Sequence, residues 1–442
     1  MKKIKGIMLS LPVLMLANAP ALWKMCSIRT WQKTLIILLL ALYTLVFIAK
    51  SHGNKQAQRK MRRLDSGAFV LGCGVMQSVI QLFVIIALCF TDLNGWRLLA
   101  NGLCAYGVTT LVCLSGIVRI AASARQVKVL WYVLLLFTWY IPLVNCLVFR
   151  KFYKAARSEY FFEQAKLDLN EARKENEICK TKYPILMVHG IFFRDWQIVN
   201  YWGRIPNELI RNGAEIFYGK QQSANKVSLS AEELADRIKE VLAETGAEKV
   251  NIIAHSKGGL DSRYAIAHLG MDKYVATLTT INTPHYGCKF VDMLLEKIPD
   301  GIKRFVDNKY NKLFTALGDK SPSFINGVYD LTYKNCSEMN AVTPDSPLVS
   351  YRSVMSKMNS IRSAGFPLNF GYLLNKPYGK GNDGLVTVES GLYGENSRMI
   401  EHQGKRGISH GDVIDLFREN IKDFDVRDFY VNLVKELKEQ GF

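Results

Sequence analysis

The stretch VNIIAHSKGGLDSRYAIAHLG, which begins at Val250, places a serine between an apolar run and a predicted helix. Ser256 follows the run, and Ala254 and Gly258, two residues to either side of it, are small. A tight turn from a strand into a helix forces the two backbones together, so only small side chains fit at those positions. The turn exposes the serine hydroxyl above the sheet edge as a candidate nucleophile. A structural Ser–Gly turn is the alternative, which the strand–turn–helix context disfavours.

A serine hydroxyl needs a general base to become a nucleophile, and the base needs a carboxylate to orient it. With this type of turn they follow in the order Ser, Asp or Glu, His. In GISHGDVIDL, His410 lies in a short loop before a predicted helix and is the preferred base, with His402 as the second candidate. In GNDGLV, Asp383 lies in a Gly-flanked turn before a strand-like run and is the preferred acid. Asp412 and Asp415 are rival acids, although they lie close to His410 in sequence.

Two backbone amides are candidates for stabilising the oxyanion that forms when an ester is attacked. The first is the N–H of Lys257, directly after the serine, at the predicted N-terminus of a helix. The second is the N–H of Ile191 in MVHGIFFRDW, where a strand ends and His189-Gly190 turns the chain. A His-Gly pair is also compatible with an ordinary strand end.

The elements that must position these residues alternate between strands and helices from about Tyr183 onward. PILMV, AEIFYG, KVNIIA and YVATLTTIN read as strands, and helices follow or separate them. A capping box of Ser230 and Glu233 is expected to open the helix AEELADRIKEVLAET. Such alternation predicts a mostly parallel sheet flanked by helices. The rhythm breaks after Gly287, and residues 288–380 are predicted to form a helical cap or lid insertion.

The first third of the chain has a different character, because long apolar runs dominate it. Leu35–Ala49, Ala68–Phe90, Leu98–Val118 and Val129–Phe149 are candidates for membrane-spanning helices. The N-terminal 23 residues are compatible with a signal peptide, a fifth membrane helix or an interfacial segment. We therefore predict an all-α transmembrane region of four or five helices over residues 1–155, a helical linker over 156–182, and a catalytic domain over 183–442.

Charge and cysteine content narrow the possible partners. The net charge of +18 arises from scattered basic clusters that flank apolar segments, which indicates anionic lipid headgroups and not nucleic acid. The basic loop from Lys50 to Ser66 favours a cytoplasmic position and, after three more spans, an extracytoplasmic catalytic domain. The basic segment RKFYKAARSEY argues for the opposite side. The nine cysteines have no metal-binding spacing.

Five ordered motifs, VHGIF, AHSKGG, INTPHYG, NDGLV and SHGDV, together resemble bacterial triacylglycerol lipases and related carboxylesterases of the α/β-hydrolase fold. The resemblance covers residues 183–418. It implies Ser256 as nucleophile, Asp383 as acid, His410 as base, and the amides of Ile191 and Lys257 as the oxyanion hole. His285, in INTPHYG, is expected to be structural.

The resemblance also raises the question of calcium, which several such lipases hold partly through an Asp two residues after the catalytic His. Asp412 matches that position. The second Asp of that site is missing, because no Asp occurs between Asp345 and Asp383. We therefore expect no cofactor, with Asp412 as a weak calcium candidate. The membrane region also departs from the soluble enzymes of the family.

These observations predict a membrane-anchored serine hydrolase of the cell membrane that cleaves carboxylic esters, with lipid acyl esters as the expected substrates. Phospholipid deacylation and acyl transfer to another alcohol use the same chemistry and remain alternatives. A noncatalytic hydrolase-like binding module is a further alternative. The expected partners are an ester or lipid substrate and the bilayer.

Overall fold

The computed structural model describes residues 2–138, 141–191, 200–316, 318–319, 321–402 and 404–442. The chain divides into two compact units, Met1–Leu169 and Asn170–Phe442. The first unit is helical, and the second contains a sheet with helices.

The N-terminal unit consists of helices joined by loops. In chain order they are α1 (Lys2–Ala17), α2 (Ala19–Met25), α3 (Thr30–Ala49), α4 (Arg59–Leu88), α5 (Gly95–Ala121), α6 (Val129–Thr138) and α7 (Pro142–Arg173), the last of which continues into the second unit. Within the described residues, α3, α4 and α5 are long and apolar enough to cross a membrane. Gly6–Ala17 of α1 forms with α2 a further apolar pair that is bent by 73°.

The predicted span Val129–Phe149 is divided in the structure. The apolar helix α6 has ten residues, α7 begins at Pro142, and residues 139–140 lie outside the described part of the chain. A helix starts readily at proline but rarely continues through it, because proline lacks an N–H and restricts the residue before it. From there α7 runs through most of the predicted linker to Arg173.

Glycines allow close packing between α4 and α5. A Cβ atom on Gly116 would lie 2.7 Å from the backbone nitrogen of Leu71, and one on Gly74 would lie 2.6 Å from Cys113 Sγ. Small residues at such positions let helix backbones approach each other, which is how apolar helices gain van der Waals contact in a membrane.

The second unit is a parallel sheet with helices on both faces. Its strands are β1 (Ile185–Val188), β2 (Ile216–Tyr218), β3 (Val250–His255), β4 (Val275–Ile281), β5 (Ser350–Met355) and β6 (Ser397–Met399). Its helices are α8 (Ile205–Arg211), α9 (Val227–Thr245), α10 (Lys257–His268), α11 (Lys289–Lys297), α12 (Asp300–Ala316), α13 (Phe324–Tyr329), α14 (Tyr333–Val342), α15 (Leu368–Asn375), α16 (Val388–Gly391) and α17 (Val426–Glu439). The strand order is β2–β1–β3–β4–β5–β6, and every neighbouring pair is parallel.

Alternate residues of β1 point to opposite faces of the sheet and fill two separate cores. Ile185 and Met187 pack in the core that contains residues of α8 and α17. Leu186 and Val188 pack in the core that contains residues of α9 and α10. Because both faces are covered, the strand is a continuous apolar run, as is typical of parallel sheets.

The predicted capping box at Ser230 is wrong, because α9 begins three residues earlier, at Val227. The N–H of Val227 donates to Asp330 Oδ2 at 2.7 Å, and Ser230 Oγ donates to the carbonyl of Gln222 at 3.1 Å. The carboxylate of Asp330, from a distant part of the chain, thus accepts the hydrogen bond of a free N–H group in the first turn of α9, and Ser230 lies within the helix and does not cap it.

The segment 288–380, predicted as a cap insertion, contains helices α11 to α14, strand β5 and helix α15. The strand is not evident from the sequence because SYRSVM has no continuous apolar run, and its first three residues are only partly buried. Pairing with β4 and β6 makes it a member of the central sheet. The helices that precede this strand therefore end at Val342, and α15 follows it.

Candidate active site

Ser256 occupies a strained turn between β3 and α10. Its backbone has φ 55° and ψ −130°, a conformation that L-residues rarely adopt and that marks functional turns. The small neighbours are required, because a Cβ atom on Gly258 would lie 2.4 Å from the carbonyl oxygen of His189. The serine N–H donates to the carbonyl of Ile281 at 3.0 Å, which fixes the turn to β4.

The backbone at the end of β1 lies directly against this turn. A Cβ atom on Gly190 would lie 2.8 Å from Ser256 Cβ and 2.9 Å from the hydroxyl of Tyr201. Only glycine allows this approach, which explains the His-Gly pair in the sequence. Residues 192–199, which include FFRDW of the motif, lie outside the described residues.

The two predicted oxyanion donors lie next to the serine. Ile191 directly follows Gly190, and Lys257 is the first residue of α10. Neither backbone N–H donates to another described residue. Unsatisfied N–H groups at a helix N-terminus and at a strand end are suited to binding a developing negative charge.

The side chain of Lys257 points away from this position into the protein. Its ammonium donates to Asp261 Oδ1 at 2.7 Å and to Ser230 Oγ at 2.9 Å, and all three residues are buried. Burial raises the pKa of Asp261 to about 7, against the opposing effect of Lys257. Lys257 thus offers its backbone amide to the proposed site, while its side chain forms a buried ion pair with Asp261.

Asp383 and His410 form a hydrogen-bonded pair. Asp383 Oδ2 lies 2.6 Å from His410 Nδ1, and the backbone N–H of His410 donates to the backbone carbonyl of Asp383 at 2.8 Å. The Asp383 side chain is fully buried, whereas 9% of the His410 side chain remains accessible. This contact leaves Nε2 as the nitrogen available to exchange a proton.

The turn NDGLV holds the Asp383 carboxylate in place with fixed donors. Oδ1 accepts from the N–H groups of Leu385 at 2.9 Å and Val386 at 2.7 Å. Oδ2 accepts from Asn282 Nδ2 at 2.6 Å. These three donors orient the carboxylate toward His410.

A strand was predicted after this turn, but the short helix α16 follows instead.

The structure places His410 beside the serine turn without a hydrogen bond between them. The ring of His255, which precedes the serine, lies 4.4 Å from the ring of His410. Among the described residues, no hydrogen bond joins Ser256 Oγ to the His410 ring. Such contacts are often long in free enzymes and tighten when substrate binds. Burial, followed by repulsion from His410, lowers the pKa of His255.

The rival residues make other contacts. His402 Nε2 lies 3.0 Å from the carbonyl oxygen of Lys422, and Asp415 forms an ion pair of 2.7 Å with Arg204. His285 Nε2 contacts Thr280 Oγ1 at 2.8 Å, and its ring stacks on Tyr393 at 4.5 Å. These contacts agree with the structural role expected for His285.

The carboxylate of Asp412, the weak calcium candidate, binds an arginine. Asp412 Oδ1 accepts from Arg406 Nη2 at 3.0 Å, and Oδ2 accepts from the N–H and the hydroxyl of Ser409. The same guanidinium nitrogen reaches Glu419 Oε2 at 3.0 Å. Burial raises the pKa of Asp412, and Arg406 opposes this shift. Within the described residues, no group of three His, Cys, Asp or Glu side chains is placed to hold a metal ion.

Two residues of the site were missed by the sequence analysis. The hydroxyl of Tyr201 lies 2.6 Å from His255 Nδ1 and accepts from the N–H of Gly190 at 3.0 Å. Asn282, at φ 48°, bridges Asp383 and Ser356. Tyr201 lies in none of the recognised motifs, whereas Asn282 lies within INTPHYG and could have been identified from it.

Comparison with known proteins supports the reading of this half of the chain. Residues 182–298 match the family model described as "Putative serine esterase (DUF676)". The chain is 38% identical over 149 residues to triacylglycerol lipase of Pseudarthrobacter phenanthrenivorans, which is 32% of this chain and 46% of that protein. It is 26% identical over 263 residues to triacylglycerol lipase 2 of Saccharomyces cerevisiae, which is 55% of this chain and 75% of that protein.

Two solved lipase structures are among those to which the chain is similar. The lipase of Staphylococcus hyicus matches with 18% identity and a TM-score of 0.46, over 59% of this chain and 97% of that chain. The mature lipase BlEst2 of Bacillus licheniformis matches with 24% identity and a TM-score of 0.41, over 53% of this chain and 87% of that chain. The chain spans about half the length of the first curated relatives it matches. The predicted resemblance to triacylglycerol lipases is confirmed, and the structure has the predicted parallel sheet flanked by helices, preceded by an all-α region with apolar helices.

Proposed function

We propose that the protein is a membrane-anchored serine hydrolase that cleaves carboxylic esters, with lipid acyl esters as the substrate class. The strained turn carries the proposal, because it presents Ser256 beside the hydrogen-bonded pair of Asp383 and His410. A structural serine has no need of such a backbone, or of nearby amides that donate to no described residue.

In the first step, His410 Nε2 accepts the proton of Ser256 Oγ as the oxygen attacks the ester carbonyl carbon. The carbonyl electron pair moves to oxygen, and the N–H groups of Ile191 and Lys257 stabilise the oxyanion by about 3 kcal/mol each. Asp383 holds the imidazole in the tautomer that leaves Nε2 free and stabilises the imidazolium that forms.

The tetrahedral intermediate then collapses and the ester C–O bond breaks, which completes the first half of the reaction. The leaving alcohol takes the proton from His410, and the acyl group stays on Ser256. A water molecule then gives a proton to His410 and attacks the acyl carbon. Release of the carboxylic acid returns the proton to Ser256.

The cap helix α12 supports a lipid as substrate. Ile302, Phe305 and Leu313 recur at helical spacing, and each is at least half exposed. The neighbouring face of the same helix is anchored, because Phe314 packs with Phe324. A helix that is held on one face and exposes apolar side chains on another is suited to contact aggregated lipid.

The membrane anchor rests on the apolar helices of the N-terminal unit. The basic loop between α3 and α4 favours the cytoplasmic side. From there α4 and α5 cross and return, and Arg157 of α7 pairs with Asp65 near the start of α4, which favours the catalytic half on the cytoplasmic side and not, as the sequence led us to expect, outside. We propose this orientation. Protease is expected to digest the catalytic half only after intact cells are permeabilised; digestion without permeabilisation would reverse the assignment.

The test of the proposed function uses detergent-solubilised full-length protein with p-nitrophenyl butyrate and p-nitrophenyl palmitate. We expect Ser256→Ala to abolish hydrolysis and labelling by a fluorophosphonate. The matched control is Ser262→Ala on the same helix, whose hydroxyl only donates to the carbonyl of Gly258 at 2.7 Å. Equal activity in Ser256→Ala and the parent protein would refute the proposal, and preference for palmitate would support lipid acyl esters.

A further inference from the structure

A surface of the second unit combines exposed apolar side chains with basic ones, and the proposed reaction uses none of them. It is formed by residues 357–380, which lie between β5 and the turn of Asp383 and include helix α15. Phe366 is 81% exposed and Phe370 53% exposed, and Ile361 and Leu373 are exposed as well. We refer to residues 357–380 as the α15 surface.

The inner face of α15 packs against the loop that carries the proposed catalytic acid. A Cβ atom on Gly371 would collide with the carbonyl oxygen of Gly384, the residue after Asp383. Asn375 Nδ2 donates to the carbonyl of Leu385 at 3.2 Å. These contacts tie the position of α15 to the turn of Asp383 and leave its outer face to solvent.

The outer face of α15 is apolar. Phe370 and Leu373 are three residues apart and therefore lie on the same side of the helix, and Phe366 comes two residues before its start. Within the described part of the chain, these three side chains belong to none of the buried apolar clusters. Neighbouring exposed apolar side chains mark a surface that contacts a partner or a membrane.

The charge of the α15 surface has one sign. No Asp or Glu occurs between Asp345 and Asp383. Four basic residues of the surface are exposed, and none of them forms an ion pair among the residues that the structure describes: Lys357, Arg362, Lys376 and Lys380. One carboxylate reaches its edge, because Glu389 Oε1 accepts from the backbone N–H of Lys380 at 2.8 Å. The surface thus retains an excess of positive charge, which favours an anionic partner.

We propose that the α15 surface docks on an anionic phospholipid bilayer. The side chains of Phe366, Phe370 and Leu373 enter the boundary between headgroups and acyl chains, and the lysines lie among the headgroups. Exposed aromatic and aliphatic side chains flanked by Lys and Arg are typical of helices that lie in this boundary. Because α15 is tied to the turn of Asp383, docking holds the candidate active site at the lipid surface.

Charge favours a bilayer over a second copy of this chain. Two copies that met through the same surface would bring together the basic side chains of both, and like charges repel each other. The chain also contains helices long enough to cross a membrane, and such a tether raises the effective concentration of lipid at the surface. The proposal therefore rests on the proposed membrane anchor, but it does not depend on ester hydrolysis.

The test uses full-length Ser256→Ala protein in vesicles of phosphatidylcholine, with or without phosphatidylglycerol, so that hydrolysis plays no part. The photoreactive residue p-benzoylphenylalanine replaces Phe370, and mass spectrometry identifies its adducts. The matched control carries the same residue in place of Leu229 on α9, which is 42% exposed and lies one turn from the exposed Glu232. We expect phosphatidylglycerol adducts at position 370 to exceed those at position 229 at least about fivefold, as expected from one basic side chain near an anionic surface.

Charge variants test the role of the lysines. Lys376→Gln combined with Lys380→Gln is expected to lower the yield of phosphatidylglycerol adducts at position 370 at least about fivefold. The control pair, Lys239→Gln with Lys435→Gln, removes the same charge from exposed positions on α9 and α17 and should leave the yield unchanged. All four lysines are exposed, so these variants should fold normally.

Four results would overturn the proposal. Equal phosphatidylglycerol adducts at positions 370 and 229 would show that the surface does not meet the bilayer. Equal yields in the two pairs of lysine variants, or equal lipid adducts in vesicles without phosphatidylglycerol, would remove the role of charge. Adducts mainly with a second copy of the protein would assign the surface to a protein interface. Release of the protein from the vesicles by alkaline carbonate would refute the membrane anchor, and the docking proposal with it.

Discussion

The hydroxyl of Tyr201 connects two parts of the candidate active site, so its removal is a sharp test of the proposed chemistry. It accepts from the N–H of Gly190 at 3.0 Å and lies 2.6 Å from His255 Nδ1. Tyr201→Phe keeps the ring and leaves two buried polar groups without this partner. At about 1–3 kcal/mol for each group, the local cost is roughly 2–6 kcal/mol.

The same change is expected to reduce the rate of the chemical step. Gly190 precedes Ile191, so a shifted Gly190 misaligns the proposed oxyanion donor. Complete loss of one donor costs about 100- to 1,000-fold in kcat, and a misaligned donor should cost about 10- to 100-fold. KM should stay nearly constant, because the oxyanion exists only in the transition state and the intermediate that follows it.

The assay measures kcat and KM for p-nitrophenyl butyrate at a temperature where both variants stay folded. Tyr351→Phe is the matched control, since its hydroxyl also accepts a backbone N–H, from Ser346 at 3.1 Å, but contacts none of the proposed site residues. It should lose stability without losing kcat. A kcat for Tyr201→Phe within twofold of the parent value would refute the reasoning.

Three further predictions concern the turn, the histidine loop and the buried ion pair. Gly190→Ala should lower kcat at least about 100-fold with unchanged circular dichroism, because the new methyl group would lie 2.8 Å from Ser256 Cβ. Near-normal activity would contradict the close approach. EDTA should leave activity unchanged, because Arg406 supplies the cation that Asp412 binds. Arg406→Gln should lower the stability measured by thermal inactivation by about 3 kcal/mol, and restoration of that stability by calcium would refute this account. Burial raises the pKa of Asp261 to about 7, from about 4 in the unfolded chain. Between about pH 4 and pH 7 the folded protein therefore holds a proton that the unfolded chain has released. This contribution to stability is therefore lost as pH rises from about 4 to about 7, and Asp261→Asn should flatten that part of the profile of inactivation half-life against pH; an unchanged slope would contradict it.

Local sequence patterns predicted the parts of the structure that depend on neighbouring residues. The serine turn follows from steric limits within five residues, and the first four strands along the chain, β1 to β4, follow from apolar runs between helices. The pairing of Asp383 with His410 was predicted from chain order and loop position. The structure places them 2.6 Å apart, while their roles in catalysis stay predictions.

The parts that the sequence did not predict depend on contacts between distant residues. The start of α9 is set by Asp330, a hundred residues later, so a local capping rule chose the wrong residue. Strand β5 is polar in its first half and becomes a strand through pairing with β4 and β6. Tyr201 and Arg406 each make hydrogen bonds to two other residues, and such contacts leave no periodicity in the sequence.

The positions of the site residues along the chain also determine when the site first exists. His410 follows Ser256 by 154 residues, and at about 5–20 residues per second the ribosome needs roughly 10–30 s to make the intervening segment. Throughout that time the growing chain contains a serine without a base. The apolar helices are complete before either residue is made. If the proposed function is right, the nascent protein therefore reaches lipid before it holds a complete site, and the order of synthesis delays hydrolysis until the chain is nearly finished.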